Sequence, residues 1–292
     1  MDAAIFFQIA LGGLLLGGLY ALVAFGLSLI YGVARILNFA HGTLLAVGGV
    51  AASGIFAATG WSPLVIIALL VPVFAAFGYV FYDRLLQPLT RRTHFEYTVG
   101  SVLVTVGALL ILSDIAAWIA GPAPTNIPID FHAIEIGGVI VSTSQAWILG
   151  GIVAFTVALH HYIRRSWFGR AMRAVTQDHA GATICGVRAD RVHALTFAFG
   201  SGIVAVAAVL YTMLYPVDPY MGFSLTVKAF TIIILGGIGN LMGALIAGIF
   251  LGLAESFTSF FWATQWAPAI SIILLLVILI LFPQGFGRRK AA

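Results

Sequence analysis

Long apolar stretches separated by short polar segments fill most of this chain. They lie at approximately residues 5–30, 43–59, 63–82, 97–120, 146–163, 193–215, 226–238, 241–257 and 266–282. A membrane-spanning helix needs about 20 apolar residues, and several of these stretches reach that length. The runs are continuous rather than alternating, which favours helices over a β-barrel. We predict an all-α polytopic bundle of about eight or nine spans, forming one transmembrane domain over residues 1–292.

Composition excludes a soluble domain. Hydrophobic residues make up 61% of the chain and charged residues 8%, whereas a soluble domain carries about 25% charged residues. The first residues, MDAAIFFQIA, lack a basic segment, so we expect the first apolar stretch to remain as a span and not to be removed as a signal peptide. The single cysteine, Cys185, excludes an internal disulfide and a cysteine-based metal cluster.

The basic residues predict which side of the membrane each loop faces. By the positive-inside rule the segments that contain them are cytoplasmic. The segment 121–145 has three prolines and no Lys or Arg, so it is expected to be a non-helical outer loop. Counting the spans back from the cytoplasmic segment at Arg84 puts the N-terminus outside. Because the basic residues cluster in loops, the net charge of +4 indicates membrane orientation and not binding to nucleic acid. Twelve of the fourteen basic residues form three clusters: Arg84, Arg91 and Arg92; Arg164, Arg165, Arg170, Arg173, Arg188 and Arg191; and Arg288, Arg289 and Lys290.

Two polar segments interrupt the apolar pattern. The first is Tyr31–Gly42 (YGVARILNFAHG) and the second is Lys228–Gly243 (KAFTIIILGGIGNLMG). Each has a cation, glycines and an Asn, and each is followed by a helix rich in small residues, which indicates a weak internal repeat. Paired broken segments point to a transport pathway, whose candidate lining residues are Tyr31, Asn38, Phe39, His41, Gly42, Gly236, Gly237, Gly239 and Asn240.

These segments leave several alternatives open. Gly236 and Gly237 form either a break at mid-membrane or a tight turn at the membrane edge. For His41 we favour an interfacial packing role over a proton relay. Charge parity favours parallel half-repeats, unless residues 31–42 are re-entrant.

The remaining charges are expected near the ends of spans. Arg35 and Lys228 can extend their ammonium or guanidinium groups to lipid headgroups, and Glu255 is expected at the interface. Asp114 is then the deepest acid. Catalytic chemistry is not indicated, because the chain has no Walker A motif for ATP and the pair His160–His161 has no Cys or carboxylate at metal-ligand spacing. We therefore predict no catalytic residue, no metal and no cofactor.

Three segments resemble those of branched-chain amino acid ABC permeases, specifically the shorter of their two permease subunits. The first is GLYALVAFGLSLIYGVARILNFAHG, the second is VKAFTIIILGGIGNLMGALIAGIFLGLAES, and the third is the loop FGRAMRAVTQDHAGATICGVRADRV. NFAHG combined with LGGxG is specific, whereas either alone is weak. The resemblance covers most of the chain and implies a type II-like importer permease in a bacterial inner membrane.

The resemblance also implies partners. A second related permease, two ATP-binding subunits and a periplasmic substrate-binding protein are expected, besides membrane lipid. The loop 164–192 would couple to an ATP-binding subunit through a short helix around Gln177–Gly186, although a basic face on anionic lipid is an alternative. The expected coupling residues are Arg170, Arg173, Gln177, Asp178, His179, Ala182, Cys185 and Gly186.

The substrate is expected to be a branched-chain or similar hydrophobic amino acid. Relatives that carry urea, short amides or aromatic acids are the alternative within the family. Outside the family, an ion-driven secondary transporter or a passive channel is the competing hypothesis.

Overall fold

The computed structural model describes residues 3–128, 133–136 and 139–281 and shows a helical bundle with one short β-hairpin. Helices dominate because backbone groups in an apolar solvent must find their partners within the same segment. The elements are α1 (Ala3–Ala34), α2 (His41–Thr59), α3 (Pro63–Phe81), α4 (His94–Ala120), β1 (Ala133–Ile136), β2 (Val139–Ser142), α5 (Thr143–Arg165), α6 (Trp167–Gln177), α7 (His179–Ile184), α8 (Ala189–Thr212), α9 (Gly222–Gly236), α10 (Leu241–Phe261) and α11 (Ala267–Leu281).

Seven of these helices are long and apolar enough to cross a membrane, namely α1, α2, α3 with the turns that follow it, α4, α5, α8 and α10. The helices α9 and α11 are shorter, at 15 residues each. The predicted all-α fold of about eight or nine apolar segments is confirmed, and the chain is a multi-pass membrane protein.

The two ends of the bundle agree with the sidedness predicted from charge. Tyr82, two residues before Arg84, hydrogen-bonds His193 near the start of α8 (2.9 Å). At the opposite end, Thr125 of the proline-rich segment pairs with Val217, which follows α8. The predicted inner loops therefore share one end and the predicted outer loops the other. The third basic cluster, at 288–290, lies outside the described residues.

The outer segment contains structure that the pattern did not predict. Strands β1 and β2 pair antiparallel, with Ala133 opposite Ser142. Their residues are mostly β-branched or aliphatic, which suits a short ladder. Residues 121–128 are non-helical as predicted, whereas α5 begins at Thr143, three residues before the predicted span.

Glycines allow α1 and α10 to pack with their backbones in contact. A Cβ added at Gly17 would lie 2.5 Å from the carbonyl oxygen of Gly248, and one added at Gly252 would lie 2.3 Å from the backbone nitrogen of Gly17. Small residues permit this approach between helices in a membrane, where van der Waals packing drives association. This tight antiparallel pair forms the centre of the bundle.

The half-repeats are inverted rather than parallel. Helices α1 and α8 run antiparallel and cross at Gly26 and Gly200, whose backbones touch. After each of them the chain turns back into the bundle, and α2 or α9 then begins. The helix α2 runs towards the end where α8 finishes, because Gly49 packs on Thr212. The helix α9 runs towards the end where α1 finishes, so segment 31–42 corresponds to segment 213–221 and not to 228–243.

Candidate functional site

Two helices begin next to each other in the interior, α2 at His41 and α9 at Gly222. The helix α1 ends at Ala34 because Arg35 takes a left-handed backbone conformation (φ 56°), which an α-helix cannot continue. Residues 35–40 return along α1 until the His41 ring reaches the carbonyl of Val23 (3.1 Å). Helix N-termini carry unpaired N–H groups and the positive end of the helix dipole.

The contact between these two helix starts depends on glycine and on one hydroxyl. The amide of Gly42 donates to the hydroxyl of Thr226 (2.9 Å). The Thr226 hydroxyl lies 2.9 Å from the carbonyl of Phe39, to which it donates. A Cβ at Gly42 would lie 2.2 Å from the carbonyl oxygen of Gly222, so no larger residue fits without a shift. We call this contact between the starts of α2 and α9 the half-helix junction.

His41 lies inside the protein and not at an interface. Its side chain is fully buried, its ring packs against Gly26, and its Nδ1 atom has no hydrogen-bond partner among the described residues. The preferred packing role agrees with this position, but the expected interfacial location is wrong. The hydroxyl of Thr43, two residues further along α2, is also buried and has no hydrogen-bond partner among the described residues.

The rest of the first break is held by local and neighbouring polar groups. Asn38 is buried, and its side-chain oxygen accepts a hydrogen bond from the amide of Ala40 (3.1 Å). The hydroxyl of Thr105, on α4, donates to the carbonyl of Leu37 (3.2 Å). The ring of Phe39 lies 5.7 Å from that of Phe230 on α9. Tyr31 is half-buried in the last turns of α1, before the break.

The glycine cluster forms a tight hairpin between α9 and α10. Gly237 and Gly239 have positive φ angles of 87° and 79°. Gly236 and Gly243 touch through their backbones, since a Cβ at Gly236 would lie 2.4 Å from the carbonyl of Gly243. The side chain of Asn240 caps α10 by accepting from the Gly243 amide (3.1 Å). This geometry fits the turn alternative and not a break within one helix.

The two predicted groups of pathway residues meet the same stretch of α1. Gly26 contacts the His41 ring, and the hydroxyl of Ser28 accepts a hydrogen bond from the Gly239 amide (3.0 Å). The glycine hairpin lies near the inner end of α1, whereas the half-helix junction lies deeper. The structure therefore brings Asn38, Phe39, His41 and Gly42 together at one place, and Gly236, Gly237, Gly239 and Asn240 at another.

A buried ion pair lies next to these groups and was not predicted. Lys228 on α9 donates to Glu255 on α10 (2.8 Å) and to the hydroxyl of Tyr20 on α1 (2.6 Å). Tyr20 and Ser271 on α11 also donate to this carboxylate. Lys228 is 9% exposed and Glu255 is 2% exposed.

These contacts correct three expectations. Lys228 does not extend to a headgroup, and Glu255 is not interfacial. Glu255, and not Asp114, is the buried acid among the described residues, since Asp114 is exposed on α4. The sequence does carry a signal for this pair. Lys228 lies 11 residues before Gly239 and Glu255 lies 16 residues after it, so the two opposite charges are on two helices joined by a tight turn. Opposite charges in a membrane are expected to find each other.

The predicted coupling loop folds into two short helices, α6 and α7. Ser166 caps α6, and Asp178 caps α7 by accepting from the amide of Ala180 (3.0 Å). The chain leaves α7 at Gly186, whose φ is 84°. Ala182 is buried against the bundle, whereas Ile184 at the end of α7 is 87% exposed. The other predicted coupling residues are exposed, namely Arg170, Arg173, Gln177, Asp178, His179, Cys185 and Gly186.

Two of these arginines also act within the chain. Arg173 donates to the carbonyls of Ile163 and Arg164, and Arg170 donates to the carbonyl of Arg165. These carbonyls are the last of α5, which lack partners within the helix. Both guanidinium groups therefore fix the corner between α5 and α6. No group of three or more potential metal ligands occurs in the part of the chain that the structure describes.

Comparison with known proteins places these features in a family. Residues 9–282 match the family model of the branched-chain amino acid transport system permease component. The chain is 33% identical to the high-affinity branched-chain amino acid transport system permease protein LivH of Escherichia coli K12, over 97% of this chain and 96% of that protein. It is 33% identical to the corresponding protein BraD of Pseudomonas aeruginosa, with the same coverage. It is 24% identical to a probable LivH of Methanocaldococcus jannaschii, over 94% of this chain and 90% of that protein.

Proposed function

Because the chain belongs to the family of branched-chain amino acid transport permease components, we propose that it forms half of the translocation pathway of an ATP-driven importer. The proposed substrates are branched-chain or similar hydrophobic amino acids, and the proposed location is a bacterial inner membrane. The observation that carries this proposal is the match over almost the whole length to permeases with that transport activity in their names.

The proposed assembly has four further components. A second related permease would complete the pathway, a periplasmic binding protein would deliver the substrate, and two separate ATP-binding subunits would supply energy. The exposed helix α7 supports docking to an ATP-binding subunit, because Ile184 offers an apolar side chain to a cytoplasmic partner. Buried apolar side chains supply much of the energy at such interfaces.

The half-helix junction is the proposed core of the pathway. Transporters often bind substrate near the membrane middle, where half-helix N-termini point at anionic groups. Here the starts of α2 and α9 meet, and the carboxylate of an amino acid would find a favourable potential there. Ring contacts such as Phe39 with Phe230 supply apolar surface beside the junction.

An ion-driven mechanism is less well supported. It needs an intramembrane acid that is free to bind an ion or a proton. Glu255 is the buried acid among the described residues, and it already accepts hydrogen bonds from Lys228, Tyr20 and Ser271. A carboxylate so paired has its charge neutralised within the chain.

Reconstitution into vesicles tests the proposal. The chain should move leucine into vesicles only when it is combined with a sister permease, the ATP-binding subunits, ATP and a loaded binding protein. Uptake by the purified chain alone would contradict it in favour of a channel or ion-driven carrier. Competition with urea, short amides and aromatic acids would decide among substrates within the family.

A further inference from the structure

We propose that Lys228 and Glu255 are positioning residues that hold α9 in its place in this structure and release it when the pathway switches sides. The inference rests on the proposed importer function and adds a role for a pair of charges that the pathway itself does not require. It concerns one short helix and its attachment to the bundle.

The helix α9 is attached so that it can move as a unit. It follows the non-helical segment 213–221 and is joined to α10 through Gly237 and Gly239, which both have positive φ angles. Its 15 residues are about half the length of α1. Hinges are commonly a few residues at the ends of elements that absorb large backbone changes. The start of α9 forms one side of the half-helix junction, so a pivot at the glycine hairpin would open or close that junction.

Polar contacts tie α9 to its neighbours at three levels. Near the start of α9, Thr226 donates a hydrogen bond to the carbonyl of Phe39. Further along, Thr231 donates to the carbonyl of Ser271 on α11 (3.3 Å). Between them lies Lys228, whose ammonium group also sits over the ring of Tyr20, 4.5 Å from its centroid. Among the described residues, the contact between Lys228 and Glu255 is the one that joins α9 to a neighbouring helix through opposite charges.

The pair is asymmetric in a way that suits release of α9. If Lys228 moved away, Glu255 would still accept hydrogen bonds from Tyr20 and Ser271, which lie on α1 and α11. The carboxylate would remain partnered, while the lysine would leave together with its helix. Separating two charges in a medium of low dielectric constant is unfavourable, so the intact pair biases α9 towards the position seen in this structure.

The test uses the complete transporter with its partner subunits, and it measures ATP hydrolysis with and without substrate-loaded binding protein. The double variant Lys228→Met with Glu255→Leu removes both charges and leaves neither unpaired. We expect it to assemble, and we expect ATP hydrolysis without binding protein to rise at least about fivefold, so that stimulation by the loaded binding protein is lost. Tyr20→Phe, which keeps both charges but removes the bridging hydroxyl, should give a smaller rise.

Ser256→Ala is the matched control, because the Ser256 hydroxyl donates to the carbonyl of Ile9 and so joins α10 to α1 by a bond in which α9 takes no part. Its stimulation ratio should equal that of the wild type. An unchanged ratio in an assembled double variant would overturn the proposal, and if that variant does not assemble, an unchanged ratio in Tyr20→Phe would overturn it. Failure of the wild-type chain to associate with any ATP-binding subunit would instead contradict the proposed importer function.

Discussion

The amide of Gly42 and the hydroxyl of Thr226 form a 2.9 Å hydrogen bond between residues 184 positions apart in the chain. This bond joins the start of α2 to the start of α9, and the hydroxyl also donates to the Phe39 carbonyl. The starts of α2 and α9, one from each inverted half, thus meet through a small polar contact. Its small size is possible because Gly42 and Gly222 let the backbones approach closely.

Replacing Gly42 by alanine should disturb the half-helix junction. The new methyl group would lie 2.2 Å from the Gly222 carbonyl oxygen and 2.6 Å from the Thr226 amide. Both neighbours are backbone atoms, so overpacking of about 1–3 kcal/mol is expected. We predict that leucine uptake in reconstituted vesicles falls at least about tenfold.

The matched control is Gly54→Ala on the same helix, where a Cβ would meet no described atom within 4 Å. This variant should transport like the wild type. Normal uptake by Gly42→Ala, at equal amounts of inserted protein, would show that the junction tolerates separation and would remove it from the pathway.

The glycine hairpin should be equally intolerant of bulk. A leucine at Gly236 would collide with the backbone of Gly243 and Ala244, and would force α9 and α10 apart. We predict that Gly236→Leu inserts into the membrane but loses uptake by at least about tenfold. Gly107→Leu on α4, where a Cβ meets no described atom within 4 Å, should retain uptake. Wild-type uptake by Gly236→Leu would show that close packing of the hairpin is not needed for transport.

Much of the fold follows from hydropathy, but the threading of the breaks does not. The bounds of α2 and α3 lie within about two residues of the predicted stretches, because a continuous apolar run has one stable conformation in lipid. The inversion could not be predicted in that way. The hydropathy pattern marks a break at residues 31–42. Whether residues 35–40 return along α1 after Arg35 ends that helix depends on tertiary packing, which hydropathy does not report.

The site was predicted only in part, for a related reason. The glycines and Asn38 stood out because they interrupt an apolar pattern. Lys228 and Glu255 were placed near lipid headgroups, since position within a span was the available guide to depth. The partner of each lies on another helix, so the pairing becomes visible only when α9 and α10 fold back on each other.

Two substitutions of Asp178, the residue that caps α7, distinguish the effect of its charge from the effect of its hydrogen bond. Asp178 accepts from the Ala180 amide at the start of a helix of six residues. Asp178→Ala removes the cap, which typically lowers helix stability by about 1 kcal/mol, whereas Asp178→Asn removes only the charge. We predict weaker binding of the ATP-binding subunit by Asp178→Ala and near-normal binding by Asp178→Asn. Equal loss in both would indicate a direct ionic contact instead.

Ile184 is expected to be the apolar anchor of the same interface. Its side chain is 87% exposed at the end of α7, the helix that we propose lies on the cytoplasmic side. Ile184→Asp should weaken binding of the purified ATP-binding subunit at least about tenfold, because a charge would be buried at the centre of the contact. Thr90→Asp adds the same charge at an exposed residue of the turn Gln87–Arg91, outside α6 and α7, and should bind normally. Isothermal titration calorimetry in detergent measures the dissociation constant of the ATP-binding subunit for each variant. Equal affinity of the two variants would exclude Ile184 from the interface and would favour contact of α7 with anionic lipid.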